Sequence, residues 1–250
     1  MDRSYALERL PMGEEADRGA EPALSARLAL YDRAAEYYRA ARTPRESWKR
    51  IEDLEAQLAE YELRYEGRDY LGAAGVLRDI DFDYLRLWGY NRQVIELHKR
   101  LRGRLDDPDA RESSVGVLGT AYREVGQIRK AIESYEEALG LARDLNNRQS
   151  EGAWLGNLGL CYSDLGETKR AMKHHEQALV ISLEIGNRQS EGNQLGNLGT
   201  CYYALEETER AKEYYEQALA IAQEIGDKRM EELLQRNLEI PFRRSDKHGQ

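Results

Sequence analysis

Two consecutive stretches decide the fold: NRQSEGAWLGNLGLCYSDLGETKRAMKHHEQALVISLEIG at residues 147–186 and NRQSEGNQLGNLGTCYYALEETERAKEYYEQALAIAQEIG at residues 187–226. They align without a gap, and 26 of the 40 positions are identical. Self-similarity at a fixed period of this length marks stacked supersecondary units. A more diverged copy occupies 107–146 and keeps Leu118, Gly119, Tyr122, Gly126, Ala131, Tyr135, Ala138 and Leu139.

Within one copy, Leu155, Leu158, Gly159 and Tyr162 fall at i, i+3, i+4 and i+7, which is one face of a helix. Gly166 interrupts, and Ala171, His175, Ala178, Leu179 and Leu183 make a second helical stripe. Gly186 with Asn187 predicts the C-cap that closes this second helix. Each copy is therefore expected to be two antiparallel helices joined by a tight turn. One such hairpin cannot bury its own apolar stripe, so it must stack on the next.

The set Leu198, Gly199, Tyr202, Ala211, Tyr215 and Ala218 resembles the tetratricopeptide repeat (TPR). The resemblance implies an all-α fold, a right-handed α-solenoid of stacked helical hairpins forming a TPR-like superhelix. It puts small residues where the two helices of a hairpin cross and aromatics between neighbouring hairpins. The period of 40 exceeds the family's usual length of about 34, and the proline after the second helix is missing. That departure implies longer helices, similar to those of spindle-adaptor proteins and bacterial signalling ATPases.

Residues 25–108 keep a hairpin rhythm without a clean period. Leu28 to Ala41 predicts one helix, and Pro44 suits the first turn of a second running through Trp48, Ile51, Leu54 and Leu58. Ala73, Ala74 and Leu77 mark another, and Asp81 to Gly89 followed by Val94, Leu97 and Leu101 reads as a worn hairpin. The expected organisation is a linker or remnant of a preceding domain at 1–24, degenerate hairpins at 25–108, three regular 40-residue repeats at 109–229, a capping helix at 230–240 stopped by Pro241, and a disordered tail at 241–250.

Ser4-Tyr5-Ala6-Leu7-Glu8-Arg9-Leu10 is similar to the end of the winged-helix domain in NB-ARC-containing STAND regulators. Arg45-Glu46-Ser47-Trp48 through Leu54, and Asp81-Phe82-Asp83-Tyr84-Leu85 through Gly89, look like the helical region that joins that module to its TPR-like sensor. This resemblance implies the ligand-sensor region of a STAND-type signal-transduction protein, with an NB-ARC module covalently preceding it. No Gly-x-x-x-x-Gly-Lys-Ser/Thr loop is present to cradle a triphosphate.

Composition narrows the functional classes. A net charge of −9 is opposite to the cationic footprint that nucleic acid or an anionic membrane surface requires. Mean hydropathy is −0.78 and no apolar run approaches the length of a spanning helix. Cys161 and Cys201 are too few for a disulfide framework and fit a reducing cytoplasm. They share one repeat position, where a small buried hydrophobe is expected. His174 and His175 are adjacent, so they point about 100° apart on a helix and cannot chelate as an i, i+4 pair would. No recognisable nucleophile motif occurs. The chain is read as non-catalytic and without cofactor or metal.

The sharper signal is a row of asparagines. Asn157, Asn197 and Asn237 recur at 40-residue spacing on successive first helices, beside the packing stripe. The TPR resemblance places this face along the inner concave groove. An amide carries both donor and acceptor groups, which matches an extended peptide backbone. Gly159 and Gly199 are expected at helix crossings, whereas Gly156 and Gly196 are expected on the groove side, letting a ligand approach the backbone. The two best copies differ at Ala153/Asn193, Trp154/Gln194, Leu160/Thr200, Ser163/Tyr203 and Asp164/Ala204, most of them groove-side, so Asn193, Thr200 and Tyr203 join the candidate lining. Arg148 and Arg188, with Arg123 and Arg236, are candidates to meet an acidic or C-terminal carboxylate, and capping of helix carbonyls is the other reading. The expected function is docking of a protein or peptide segment, with a small molecule as the remaining ligand class. A structural or self-assembly scaffold without a discrete ligand is the alternative.

Overall fold

The computed structural model describes residues 20–242. These are helical, and no strand occurs among them. The described residues divide into two compact units that part between Ser114 and Val115.

The first unit holds α1 (Ala20–Ala40), α2 (Glu55–Glu66), α3 (Tyr70–Ile80) and α4 (Asn91–Leu101), with a π-helical segment at Asp81–Arg86. The helix expected through Trp48 to Leu58 is instead two short 3₁₀ turns, Arg45–Ser47 and Ile51–Leu54, followed by α2. Local side-chain bonds compete with the helical ladder there. Trp48 Nε1 donates to Thr43 O at 3.1 Å, and Asp53 Oδ2 accepts from the backbone of Lys49 at 2.9 Å and Arg50 at 3.2 Å. Tyr61, fully buried, donates to Leu97 O at 2.8 Å, tying α2 to α4. The buried carboxylate of Glu60 is held between Arg42 and Arg64, at 2.9 and 2.8 Å, as a buried charge must be. Helix α1 begins at Ala20, so the expected 1–24 linker ends inside its first turns; the rest of that linker lies outside the described residues.

Helix α5 (Pro108–Glu124) runs across the unit boundary and opens the regular array. It is followed by α6 (Ile128–Asp144), α7 (Arg148–Asp164), α8 (Thr168–Glu184), α9 (Arg188–Ala204), α10 (Thr208–Ile225) and α11 (Lys228–Phe242). From α6 onward each helix packs on the next, and α7 also touches α9, the pattern of stacked hairpins. The buried stripes of the first helices are those the period marks, Leu155, Leu158, Cys161 and Tyr162 on α7 and Leu195, Leu198 and Cys201 on α9. On α8 the expected stripe member Leu183 is exposed, and Ile181 is buried in its place. Each fully buried Leu contributes about 1.5–3 kcal/mol. Met230 and Leu234 of α11 close the last hairpin, joining the core formed by Leu195, Tyr215, Ala218 and Ile221. That helix continues to Phe242, so Pro241 falls in its last turn; the remainder of the expected 241–250 tail lies outside the described residues.

The repeated Asn-Arg-Gln-Ser-Glu-Gly turns out to be a helix start. Asn187 serves both helices: its backbone N–H donates to Ser182 O at 2.9 Å, closing α8 as expected, and its side chain accepts from Ser190 N at 3.0 Å, capping α9. Asn147 does the same for α7 with Ser150 N at 3.1 Å, and Asp227 for α11 with Met230 N at 3.0 Å. Gly186, with φ of +69°, alone supplies the left-handed residue that ends α8. The motif's glycines admit neighbouring helices: a Cβ on Gly152 would meet Ile181 at 3.0 Å, and one on Gly192 would meet Met230 at 2.9 Å.

Candidate functional site

Asn157, Asn197 and Asn237 sit at one register of α7, α9 and α11, and all three are half-buried. Among the described residues, the amides of Asn157 and Asn197 make no hydrogen bond with the chain. Beside them, Asn193 and Tyr203 are exposed. Thr200 is exposed too, but its hydroxyl donates to Gly196 O at 3.1 Å and accepts from Tyr215 Oη at 3.2 Å. Thr120 repeats this arrangement with Gly116 O and Tyr135 Oη, so the threonine serves the hairpin as well as the surface.

The neighbouring glycines depart from expectation. Gly156 is buried, and a Cβ on it would meet the Gln194 amide at 2.9 Å; one on Gly196 would meet Leu234 at 3.4 Å. Gly116 is likewise covered by the indole of Trp154. The position held by Trp154, Gln194 and Leu234 is thus the seam between successive first helices, not groove lining. Gly156 leaves room for the Gln194 amide, whereas at Gly196 a Cβ would make only an ordinary van der Waals contact with Leu234. Gly159 and Gly199 lie under the rings of His175 and Tyr215, as the crossing argument expects.

The arginines are engaged within the array. Arg148 pairs with Glu151 and Glu184, and Arg188 with Glu191 and Glu224, joining the start of each first helix to the end of its own second helix. Neither carbonyl capping nor a free cation describes them. The Glu151 carboxyl lies below its ordinary range: burial opposes ionisation, but Arg143 and Arg148 outweigh it. Arg123 Nε is 2.7 Å from Asp164 Oδ2, linking α5 to α7. Arg236 is exposed on α11.

Cys161 and Cys201 are buried and free. Burial pushes the Cys161 thiol up to about 11, so it is not a thiolate near neutrality. His174 stacks on Tyr162, ring centroids 5.1 Å apart, while His175 is fully buried. Among the described residues no group of His, Cys, Asp and Glu is arranged to hold a metal ion. Sequence reasoning passed over one cluster in the first unit. His98 Nδ1 is 2.8 Å from Ser114 Oγ, and its Nε2 is 3.3 Å from Asp81 Oδ2. Separations of 16 and 17 residues across three elements gave no motif to read.

Forty-residue hairpins, crossing at small residues and stacked through a first-helix seam, define an α-solenoid of tetratricopeptide type. Residues 110–184 match the model of a tetratricopeptide repeat family, and residues 193–225 match a second tetratricopeptide repeat model. No curated protein matches the chain. Among solved structures, the chain is similar to the nearly identical TPR-like repeats of a Podosopora anserina kinesin light chain candidate, at 17% identity and a TM-score of 0.56, covering 84% of this chain and 100% of that one. It is similar to aspartyl phosphate phosphatase F from Bacillus subtilis at 16% identity and a TM-score of 0.56, covering 93% and 70%. It is also similar to MamA at 16% identity and a TM-score of 0.54, covering 82% and 96%. These likenesses show the fold. No helix among the described residues is long and apolar enough to cross a membrane.

Proposed function

We propose that the regular array is a non-catalytic docking module that receives an extended peptide segment of a partner protein across its first-helix face. The observation that carries this reading is the row at Asn157 and Asn197, half-exposed amides in register whose donors and acceptors are left unmade by the chain. A peptide backbone presents the complementary groups at regular spacing. Asn237 extends the row to α11, and Asn193, Thr200 and Tyr203 give one hairpin a lining that Ala153, Leu160 and Ser163 do not give its neighbour. With Arg148, Arg188 and Arg123 held by carboxylates, Arg236 is the arginine of the set available to a partner's carboxylate. A Rap protein of related fold, at 15% identity and a TM-score of 0.50, was solved complexed with competence and sporulation factor, so this architecture serves as a ligand carrier elsewhere.

The module is further read as the sensor region of a STAND-type regulator with a preceding NB-ARC module. Support comes from the resemblance of residues 45–54 and 81–89 to the helical joining region. The matching segment at 4–10 lies outside the described residues. Selection of a random peptide library on the full chain tests the docking reading. Enrichment of a shared sequence that is displaced by a single competitor peptide is expected, and failure to enrich any peptide contradicts it.

One observation favours a second reading. Val180 and Leu183 of α8 are exposed apolar residues one turn apart on the second-helix layer, where copies of the chain would adhere. Light scattering across a concentration range separates the two: self-assembly raises the mass without added ligand, and docking does not.

A further inference from the structure

Three polar side chains of the first unit, none of them part of the docking face, form one hydrogen-bonded line: Ser114 Oγ to His98 Nδ1 at 2.8 Å, and His98 Nε2 to Asp81 Oδ2 at 3.3 Å. Exposure is 6% for Ser114 and 4% for each of His98 and Asp81. An ionised carboxylate only accepts, so Asp81 selects the tautomer carrying its proton on Nε2. The Nδ1 lone pair then faces Ser114, whose hydroxyl must be the donor. An imidazole oriented by a carboxylate and accepting from a hydroxyl is the arrangement that turns a serine into a nucleophile.

The line ends at a pocket rather than in packed core. A cavity of about 320 Å³ is lined by Asp81, His98 and Ser114, by Leu71 and Gly75, and by Arg78. A Cβ on Gly75 would meet nothing within 4 Å, so that wall is open. Arg78 is exposed and makes no ion pair among the described residues. Asp81 also opens the π-helical segment, a distortion that recurs at functional sites.

We propose that Ser114 is a nucleophile toward small activated esters, with His98 as its base, Asp81 as a positioning residue and Arg78 as the cation available to a developing oxyanion. In the first step Ser114 Oγ bonds to the ester carbonyl carbon while His98 Nδ1 takes the hydroxyl proton and the carbonyl pair moves onto oxygen. Collapse breaks the bond to the alcohol, which leaves with the proton from His98. Water, deprotonated by His98, then cleaves the acyl-Ser114 bond, releasing a carboxylic acid and returning the proton to Ser114. The cavity holds an acyl group of a few carbons. Asp107 and Asp109 at the same cavity favour a neutral or cationic ester over an anionic one.

A small alkyl fluorophosphonate is the direct probe, since attack forms an Oγ–P bond and expels fluoride, leaving a stable adduct. Intact-mass and peptide mapping on the full chain should show one adduct, at Ser114, retained in Ser113→Ala and lost in Ser114→Ala. His98→Gln should slow labelling about a hundredfold or more, the usual scale of base catalysis. Asp81→Asn offers an amide donor to Nε2 and turns the base away, so labelling should slow similarly. Hydrolysis of p-nitrophenyl acetate should follow the same order, with circular dichroism confirming that each variant is folded. Absence of an adduct at Ser114 in the folded wild-type chain, or an unchanged rate in folded His98→Gln, overturns the proposal.

Discussion

His175 Nδ1 lies 2.9 Å from Gln194 Oε1, inside the seam where the other two repeats are bonded differently. Tyr135 and Tyr215 occupy the position of His175 and donate to Thr120 and Thr200, at 2.9 and 3.2 Å. In the middle repeat that threonine is Leu160, and the seam residue is Gln194 where the neighbouring seams hold Trp154 and Leu234. Three positions have changed together. His175 is fully buried and its Nε2 has no partner.

Burial lowers the proton affinity of His175 below the ordinary histidine value, with the Gln194 bond opposing and His174 assisting. The folded chain therefore holds this ring neutral in a range where the unfolded chain protonates it. Stability tied to His175 is complete above about pH 6.5, the unfolded value, and is lost as pH falls below it. His175→Tyr with Leu160→Thr, copying the outer repeats, should weaken the acid sensitivity of urea midpoints measured between pH 7 and 5. An unchanged pH slope would remove His175 as its source. Gln194→Leu should cost about 1–3 kcal/mol at pH 7, since it leaves a second buried nitrogen unpaired.

Two helix-interior glycines, Gly199 and Gly140, stand at opposite extremes. A Cβ on Gly199 would lie 2.7 Å from Tyr215 Cδ1, with a ring that has no room to withdraw. On Gly140, in α6, it would meet nothing within 4 Å. Gly199→Ala should destabilise by about 1–3 kcal/mol through overpacking, and Gly140→Ala should stabilise by about 0.5–1 kcal/mol through helix propensity. Denaturant midpoints read both, and equal effects would contradict the crossing geometry.

Glu206 holds φ of +63° in the hairpin turn where the earlier repeats have Gly126 at +76° and Gly166 at +74°. A side chain in that region costs roughly 1–2 kcal/mol, offset in part by the greater freedom of glycine in the unfolded chain. Glu206→Gly should raise stability by about 0.5–1 kcal/mol, visible as a higher melting temperature. A lower one would mean that this turn's strain is relieved by something glycine removes.

The repeat was legible because identical residues recur at one period, and hairpins followed from two helical stripes separated by Gly166. What periodicity cannot supply is the neighbour across a seam. Trp154 and Gln194 sit beside an exposed stripe, so they read as groove lining, and only stacking shows that they cover Gly116 and Gly156. Asn187 follows Gly186 directly, and adjacency shows its backbone closing α8 but not its side chain opening α9. Arg188 likewise pairs with Glu224 at the far end of its own hairpin, 36 residues on. In the first unit no period constrained the reading, and the side-chain bonds of Trp48 and Asp53 broke a helix that hydrophobic spacing alone predicts.

The amides of Asn157 and Asn197 carry the functional account, because the fold does not use them and a peptide backbone would. Affinity for a library-selected peptide, measured by calorimetry on the full chain and on the Asn157→Ala, Asn197→Ala double variant, tests this most directly. Two lost hydrogen bonds at about 1 kcal/mol each correspond to a loss of about tenfold or more, with the melting temperature nearly unchanged. Equal affinity in the double variant, or a loss of binding matched by a loss of folding, would show that these asparagines do not make the docking face.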